Sequence, residues 1–334
     1  MNAKGENGNG ESKAGRTSDK RRVLITGVTG TLGRQLAEKL LYDKKIEHVL
    51  GISIDERPYY FEDFDRQRFT YKQVNILKPR ELTNLFLSDD FKAHEIDTVV
   101  HLAVLHRPEF TSKKTHELNI EGTKVLLDRC LEDPRIRKFI FKSSATVYKV
   151  RPHNPVRLTE NDDLNFEPDA HPMIKDMVDA EMLCRAKMDS KNLQVVVLRP
   201  SATIGRNVHT FYNLYLESTV ALRVAGFNPM VNLIHVKDVV RAIQLAIHKN
   251  VKGIFNIGGK ETAPLADLAR LAGAVNVSLP EFILQPLNRV LRAVGMTKFE
   301  AEVDLERLKY GCLLDTSKAK KVLGFEPQHH IKFS

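Results

Sequence analysis

No stretch of this 334-residue chain reaches the ~18 consecutive apolar residues needed to cross a bilayer, so membrane insertion is not expected. The first 22 residues have no apolar core of the kind a secretory signal carries, and Glu6, Glu11 and Asp19 argue against a mitochondrial presequence. Cysteine is scarce. Cys130, Cys184 and Cys312 are odd in number and far apart, which excludes a disulfide framework and fits a reducing, cytoplasmic setting. Basic clusters interleaved with aromatic residues are also missing. The net charge is +9; residues 1–22 hold six Lys/Arg and three Asp/Glu, or +3, and acidic residues interrupt nearly every other basic stretch. That pattern reads as solvated surface and argues against a nucleic-acid partner; a basic mouth for an anionic ligand is the alternative. Neither His101 with His106 nor His329 with His330 has cysteines or carboxylates at ligand spacing, so no metal is expected.

What is present is a repeated strand–turn–helix pattern, preceded by a polar tail. Residues 1–21 have too little apolar surface to offset the entropy of ordering and are expected to be disordered. Short apolar runs at 23–26, 48–54, 98–103, 139–143, 195–198 and 253–257 read as strands. Helical apolar spacing marks 31–41, 79–87, 113–131, 171–188, 237–248, 265–272 and 280–294. Strands that are apolar throughout belong in a parallel sheet covered on both faces. The expected fold is α/β, a doubly wound parallel Rossmann sheet with a smaller C-terminal substrate lobe. Residues 22–205 form the expected dinucleotide-binding domain, to which the region 231–257 partly returns. Residues 206–334 form mainly the smaller lobe, for a substrate or a partner.

The most informative stretch is Thr26-Gly27-Val28-Thr29-Gly30-Thr31-Leu32-Gly33. It ends one expected strand and opens a helix. Gly27 permits a sharp turn, Gly30 lets the backbone approach a pyrophosphate, and Gly33 lets helix and strand pack closely. The helix N-terminus offers free N–H groups to the phosphates. Asp55 lies 22 residues beyond Gly33, at the end of the second strand. An acid there takes the adenosine ribose hydroxyls and repels a 2′-phosphate, which favours NAD(H) over NADP(H). Arg57 is the counterweight, because arginine accepts that phosphate.

With these glycines and several later landmarks, the chain resembles the extended short-chain dehydrogenases, the NAD-dependent group of sugar-nucleotide epimerases and dehydratases. The landmarks are Val74-Asn75-Ile76, His101-Leu102-Ala103, Asn119-x-x-Gly122-Thr123, Ser143-Ser144-Ala145-Thr146-Val147-Tyr148, Leu198-Arg199-Pro200, His235-Val236-Lys237-Asp238, Phe255-Asn256-Ile257-Gly258 and 314–319. The resemblance spans roughly residues 22–327. It extends the expected cofactor contacts from Gly27, Thr29, Gly30, Thr31, Leu32, Gly33 and Asp55 to Asn75, Ile76, Leu102, Ala103, Asn119, Ser143 and Pro200. It also implies a homodimer, built by packing the helices over 113–131 and 171–188 into a four-helix bundle.

The same resemblance implies catalysis by a serine, a tyrosine and a lysine four residues after the tyrosine. The lysine lowers the tyrosine pKa so that it exchanges a proton with the substrate hydroxyl. A glutamate usually follows four residues after that lysine. Glu181 matches it, and counting back by fours gives Met177 at the lysine position and Met173 at the tyrosine position, with Pro172 in the expected place before it. Ser144 is retained, but a thioether cannot cycle a proton. Lys175 lies two residues from Met177, about 200° round the helix. Ala202 stands where sugar-nucleotide enzymes often carry asparagine. Two readings follow. In the first, the chain is a regulatory or scaffolding pseudoenzyme that binds NAD(H) and a protein partner. In the second, it is an active NAD-dependent oxidoreductase, epimerase or dehydratase on a small-molecule substrate, with His171, Asp176, Asp179 or a substrate group as an atypical proton donor.

Overall fold

A computed structural model describes residues 20–105 and 112–333; almost all of the expected polar tail, and His106, lie outside the described residues. Strands β1 (Arg21–Thr26), β2 (Ile46–Ser53), β3 (Phe69–Gln73), β4 (Thr98–His101) and β5 (Lys138–Lys142) are followed by the two-residue β6 (Arg157–Leu158) and by β7 (Gln194–Pro200). The chain then leaves this layer for β8 (Ala202–Ile204), β9 (Val220–Val224) and β10 (Met230–His235), and returns in β11 (Gly253–Ile257). One seven-stranded sheet results, all parallel, in the order β11-β7-β5-β4-β1-β2-β3. This is the doubly wound arrangement expected from the apolar strands.

Alternation along each strand divides the sheet between two cores. Val23, Ile25, Val49, Val100, Ile140, Val196 and Phe255 face one side, and Leu24, Leu50, Val99, Phe139, Phe141, Val195 and Val197 face the other. The first core is covered by α1 (Thr31–Leu41) through Leu36 and Leu40, and by Val239, Ile243 and Ile247 from a later helix. The second is covered by α2 (Pro79–Leu87), with the short α3 (Asp89–Ala93) beside it, and by further helices on residues 113–185. Burying both faces favours strands that are mostly apolar, and the polar residues they do bury, such as His101, Lys138 and Arg199, are hydrogen-bonded.

The helix expected over 113–131 runs as α4 (Lys113–Glu117), a π turn at Leu118–Gly122 and α5 (Thr123–Glu132). A π turn inserts an extra residue per turn and re-aims side chains; here it turns Asn119 fully into the interior. Next come α6 (Pro172–Arg185), α7 (Phe211–Leu216) and α8 (Val236–His248), the helix that supplies Val239, Ile243 and Ile247. The smaller lobe holds β8 and β10 with β12 (Glu261–Pro264), α9 (Leu265–Leu271), the parallel pair β9 with β13 (Val275–Leu279), and α10 (Glu281–Ala293). Its own core contains Tyr215, Leu222, Leu233, Leu268, Leu284 and Phe299. A two-residue strand β14 (Leu313–Leu314) pairs with β6. The sequence reading had no strand run for β3, β6, β8, β9, β10, β12, β13 or β14. β3 is an edge strand, Phe-Thr-Tyr-Lys-Gln, whose alternation of aromatic and polar residues is that of a half-exposed strand and was passed over because only continuous apolar runs were read as strands.

Candidate functional site

The glycines at the end of β1 are required by the protein itself. Gly27 has φ +67° and an added Cβ would lie 3.0 Å from the Ala103 backbone; at Gly33 it would lie 2.3 Å from the Gly27 carbonyl oxygen. Gly30 differs, because a Cβ there meets only the Gly27 oxygen, at 3.4 Å. Gly30 is also the N-cap residue of α1, with no side-chain cap, so the free N–H groups of α1 face an open cradle. The cradle forms part of a groove of about 430 Å³, within the size range of cofactor sites.

One end of the groove is closed by Asp55, just beyond β2. Its Oδ2 accepts from Thr29 Oγ1 at 2.5 Å and from Ser53 Oγ at 2.9 Å. The carboxylate is thereby aimed into the groove with its other oxygen free of side-chain donors among the described residues. Arg57 is turned away, donating to the Phe61 carbonyl at 3.2 Å, and does not line the groove.

Beneath the cradle a chain of hydrogen bonds fixes the end of β4. Leu102 N–H and Ala103 N–H donate to Thr26 Oγ1, each at 3.1 Å. Thr26 Oγ1 lies 2.8 Å from His101 Nδ1, and His101 Nε2 lies 2.9 Å from Thr123 Oγ1, whose hydroxyl donates to the Asn119 carbonyl. With Thr123 donating onward, His101 must donate from Nε2 and accept at Nδ1, the neutral tautomer. Burial pushes its pKa down to about 3.

Of the residues expected to contact the cofactor, Gly27, Thr29, Gly30, Thr31, Leu32, Gly33, Asp55, Ile76, Leu102 and Ala103 line the groove. Four do not. Asn119 holds the Leu105 backbone by both N–H and C=O, at 2.8 and 3.0 Å. Asn75 Oδ1 accepts from Leu77 N–H, Ser143 Oγ donates to Glu181 at 2.6 Å, and Pro200 lies within β7 against Ile257 of β11. They stand behind the wall and shape it. Motif matching locates such residues without saying which way their side chains point.

The other end of the groove opens past Lys142, Thr203 and Thr210, which line both it and a chamber of about 60 Å³. Ser144, Met173 and Met177 line this chamber together. Ser144 Oγ accepts from Thr146 N–H at 3.2 Å. Met173 and Met177 are 8% and 2% exposed and pack with Val147, Tyr148, Val303 and Leu314. The wall behind is rigidified by a buried ion pair between Arg199 and Glu181, both fully buried. Arg199 also donates to Tyr148 Oη at 2.7 Å, and Tyr148 donates to Asn256 Oδ1 at 2.6 Å. Tyr148 is thus committed to the frame, and burial pushes its pKa up to about 12.

None of the proton donors considered from the sequence lines the chamber. His171 caps α6, with Nδ1 accepting from Met173 N–H. Asp176 is bonded to His116 at 2.6 Å. Asp179, its pKa raised by burial, lies elsewhere on the helix. The residue that sequence reasoning missed is Lys142. It ends β5, and burial pushes its pKa down to about 8. The available signal was a lysine closing an otherwise apolar strand, Lys-Phe-Ile-Phe-Lys, immediately before two serines.

Comparison with known proteins places these features in context. Residues 23–258 match the model of the NAD dependent epimerase/dehydratase family. An uncharacterized protein of Mycobacterium tuberculosis is 29% identical over 310 residues, 92% of this chain and 80% of that protein. A dTDP-4-dehydro-6-deoxy-D-allose reductase of a Streptomyces species is 23% identical over 334 residues, covering 94% of this chain and 93% of the reductase. Among solved structures, UDP-glucuronic acid 4-epimerase from Bacillus cereus, in complex with UDP-glucuronic acid and NAD, has TM-score 0.67 at 21% identity, over 92% of this chain and 95% of that one. An epimerase of Methanothermobacter thermautotrophicus has TM-score 0.70 at 17% identity, over 95% and 90%.

Proposed function

The chain belongs to the NAD dependent epimerase/dehydratase family, and from that premise we propose that it is an NAD(H)-dependent redox protein of this family whose proton transfer no longer uses the tyrosine and lysine positions. The cradle of Gly27, Gly30 and Gly33 holds the pyrophosphate, and Asp55 takes the ribose hydroxyls. NAD, when bound, supplies a two-electron hydride acceptor. The observation that carries the redox reading is the continuity of the groove with the Ser144 chamber through Lys142, Thr203 and Thr210. A scaffold that needed only the shape of the bound cofactor would not require a chamber there lined by Lys142, Ser144 and Ser201. The substrate class is a small hydroxyl or carbonyl compound. The 60 Å³ chamber and Ala202 in its lining favour a molecule smaller than a sugar nucleotide.

The regulatory or scaffolding pseudoenzyme is the second reading, and it rests on Met173 and Met177, which fill the tyrosine and lysine positions with buried thioethers. The experiment that separates the two identifies the nucleotide carried by the purified protein. It then measures single-turnover oxidation of bound NADH against a panel of small aldehydes and ketones, with Ser144→Ala as control. Turnover lost in Ser144→Ala supports the redox reading; tight NAD(H) binding with no Ser144-dependent turnover favours the pseudoenzyme.

A further inference from the structure

We propose that Lys142 holds the proton that accompanies redox chemistry at this site, taking the part left open by Met173 and Met177; this rests on the NAD(H) reading above. The sheet order sets the geometry. Asp55 follows β2 and Lys142 closes β5, and in the order β5-β4-β1-β2 they are three strand intervals apart, about 15 Å. The cradle at the end of β1 lies between them. With the adenosine ribose at Asp55 and the pyrophosphate at the cradle, the nicotinamide half extends toward β4 and β5, where Lys142 faces both the groove and the Ser144 chamber.

A fully buried lysine on the same strand, Lys138, shows what a structural role looks like beside the half-buried Lys142. Lys138 Nζ donates to the carbonyl oxygens of Ala246 at 2.8 Å, Ile247 at 3.2 Å, and Lys249, so all three of its donors are used. Lys142, four residues on, has no side-chain partner among the described residues, and desolvation is the one cause acting on its charge. Ser201 Oγ, in the same chamber wall, is buried without a partner among the described residues. Buried polar groups are almost always hydrogen-bonded, so the orphaned Ser201 hydroxyl, in a chamber that the half-buried Lys142 also lines without a side-chain partner among the described residues, points to a polar ligand there. The apolar thioethers of Met173 and Met177 help to keep the Lys142 amine poorly solvated and able to be neutral.

The step assigned to Lys142 is a proton transfer. Neutral Nζ would take the O–H proton of an alcohol in the chamber, NAD⁺ when bound would supply the acceptor for the carbinol hydride so that a carbonyl is left, and reduction would reverse both with no other reactant. The other ionisable groups lining the groove and chamber are Asp55, His209, Tyr212, Asp304, Arg307 and Cys312. Asp304 and Arg307 form an ion pair, and Asp55 is at the opposite end.

The test uses the full chain and titration calorimetry with NAD⁺ and NADH separately, between pH 6.5 and 9.5. The oxidised nicotinamide ring is cationic and the reduced ring is neutral, so an ammonium beside it weakens NAD⁺ alone. In the wild type, NAD⁺ affinity relative to NADH should rise roughly tenfold across this range as Lys142 loses its proton. The ratio should be flat in Lys142→Met, and low at every pH in Lys142→Arg, whose charge does not titrate. A pH-independent ratio in the wild type, or an unchanged slope in Lys142→Met, would overturn the assignment while leaving the cofactor reading intact. Failure of the wild type to bind either form would overturn both.

Discussion

The two ends of the groove are built in different ways. The cradle end is one short stretch of chain, Gly27 to Gly33, set against the end of β4. What it offers a ligand is backbone N–H groups at an uncapped helix N-terminus. The chamber end draws Lys142 and Ser144 from β5 and the turn after it, Met173 and Met177 from α6, Thr203 from β8, and Asp304, Arg307 and Cys312 from beyond α10. Backbone recognition depends only on glycine spacing and on the helix that follows, so it survives almost any change elsewhere. Side-chain chemistry assembled from distant segments has no such protection, because each member can be replaced singly while the frame stands. In this chain Glu181, Arg199 and Tyr148 form a bonded frame, and the α6 side chains that line the chamber in front of it are those of Met173 and Met177.

That contrast can be broken at the frame first. Glu181→Ala leaves the Arg199 guanidinium buried without its partner, since both side chains are fully buried. Removing one member of such a pair costs about 3–5 kcal/mol, and chemical denaturation should show this as a lowered midpoint. An unchanged midpoint would mean that the chamber wall does not depend on the pair. At the cradle the effect should fall on binding instead of folding. A side chain at Gly30 meets nothing closer than 3.4 Å within the protein. Gly30→Leu should therefore weaken NAD(H) at least ~100-fold, about 2.7 kcal/mol, with thermal stability little altered. Gly33→Val is the contrasting variant. Its Cβ would stand 2.3 Å from a carbonyl oxygen, so stability should fall as well.

The two ends can also be compared by pH. His101 beneath the cradle is neutral in the fold, with its pKa pushed down to about 3 by burial. Below the unfolded value near 6.5 the unfolded chain takes up a proton that the folded chain refuses, so stability is lost as pH falls from about 6.5 toward 3. The His101 contribution is about 2 kcal/mol at pH 5. Urea denaturation of wild type and His101→Gln from pH 7 to 4.5 should show the shallower loss in the variant. Equal slopes would remove His101 as the source. The smallest effect is expected at Asp55. Asp55→Ala should reduce the preference for NAD(H) over NADP(H) by about tenfold, or 1.4 kcal/mol, read from the two calorimetric constants. An unchanged ratio would pass the discrimination to another residue, with Arg57 the first to examine.

The alternation of Val23, Leu24 and Ile25 between two cores was readable because parallel strands buried on both faces are mostly apolar. Asp55 and the glycines were readable because their spacing from one strand end is fixed by local geometry. The shortfall came where direction mattered. Asn119, Ser143 and Asn75 match family landmarks, but their side chains turn into the frame. The π turn at Leu118–Gly122 leaves no mark in an apolar period. Lys142 and Lys138 read alike as lysines at the two ends of one short strand, although one is saturated by carbonyl oxygens and the other faces a chamber.

The sequence alone therefore determined six of the seven strands of the sheet, most of the helices that cover it, the glycine turn after β1 and the placing of Met173 and Met177 one turn apart on a single helix. All of these depend on residues close together in the chain or on a register counted along one helix. Only the tertiary structure decided what stands at the chamber mouth. The environment of Lys142 is set by β8, α6 and the segment beyond α10, which come together only when the two lobes pack. Desolvation, and the lack of a side-chain partner among the described residues, are properties of that packing, and no spacing within the chain encodes them.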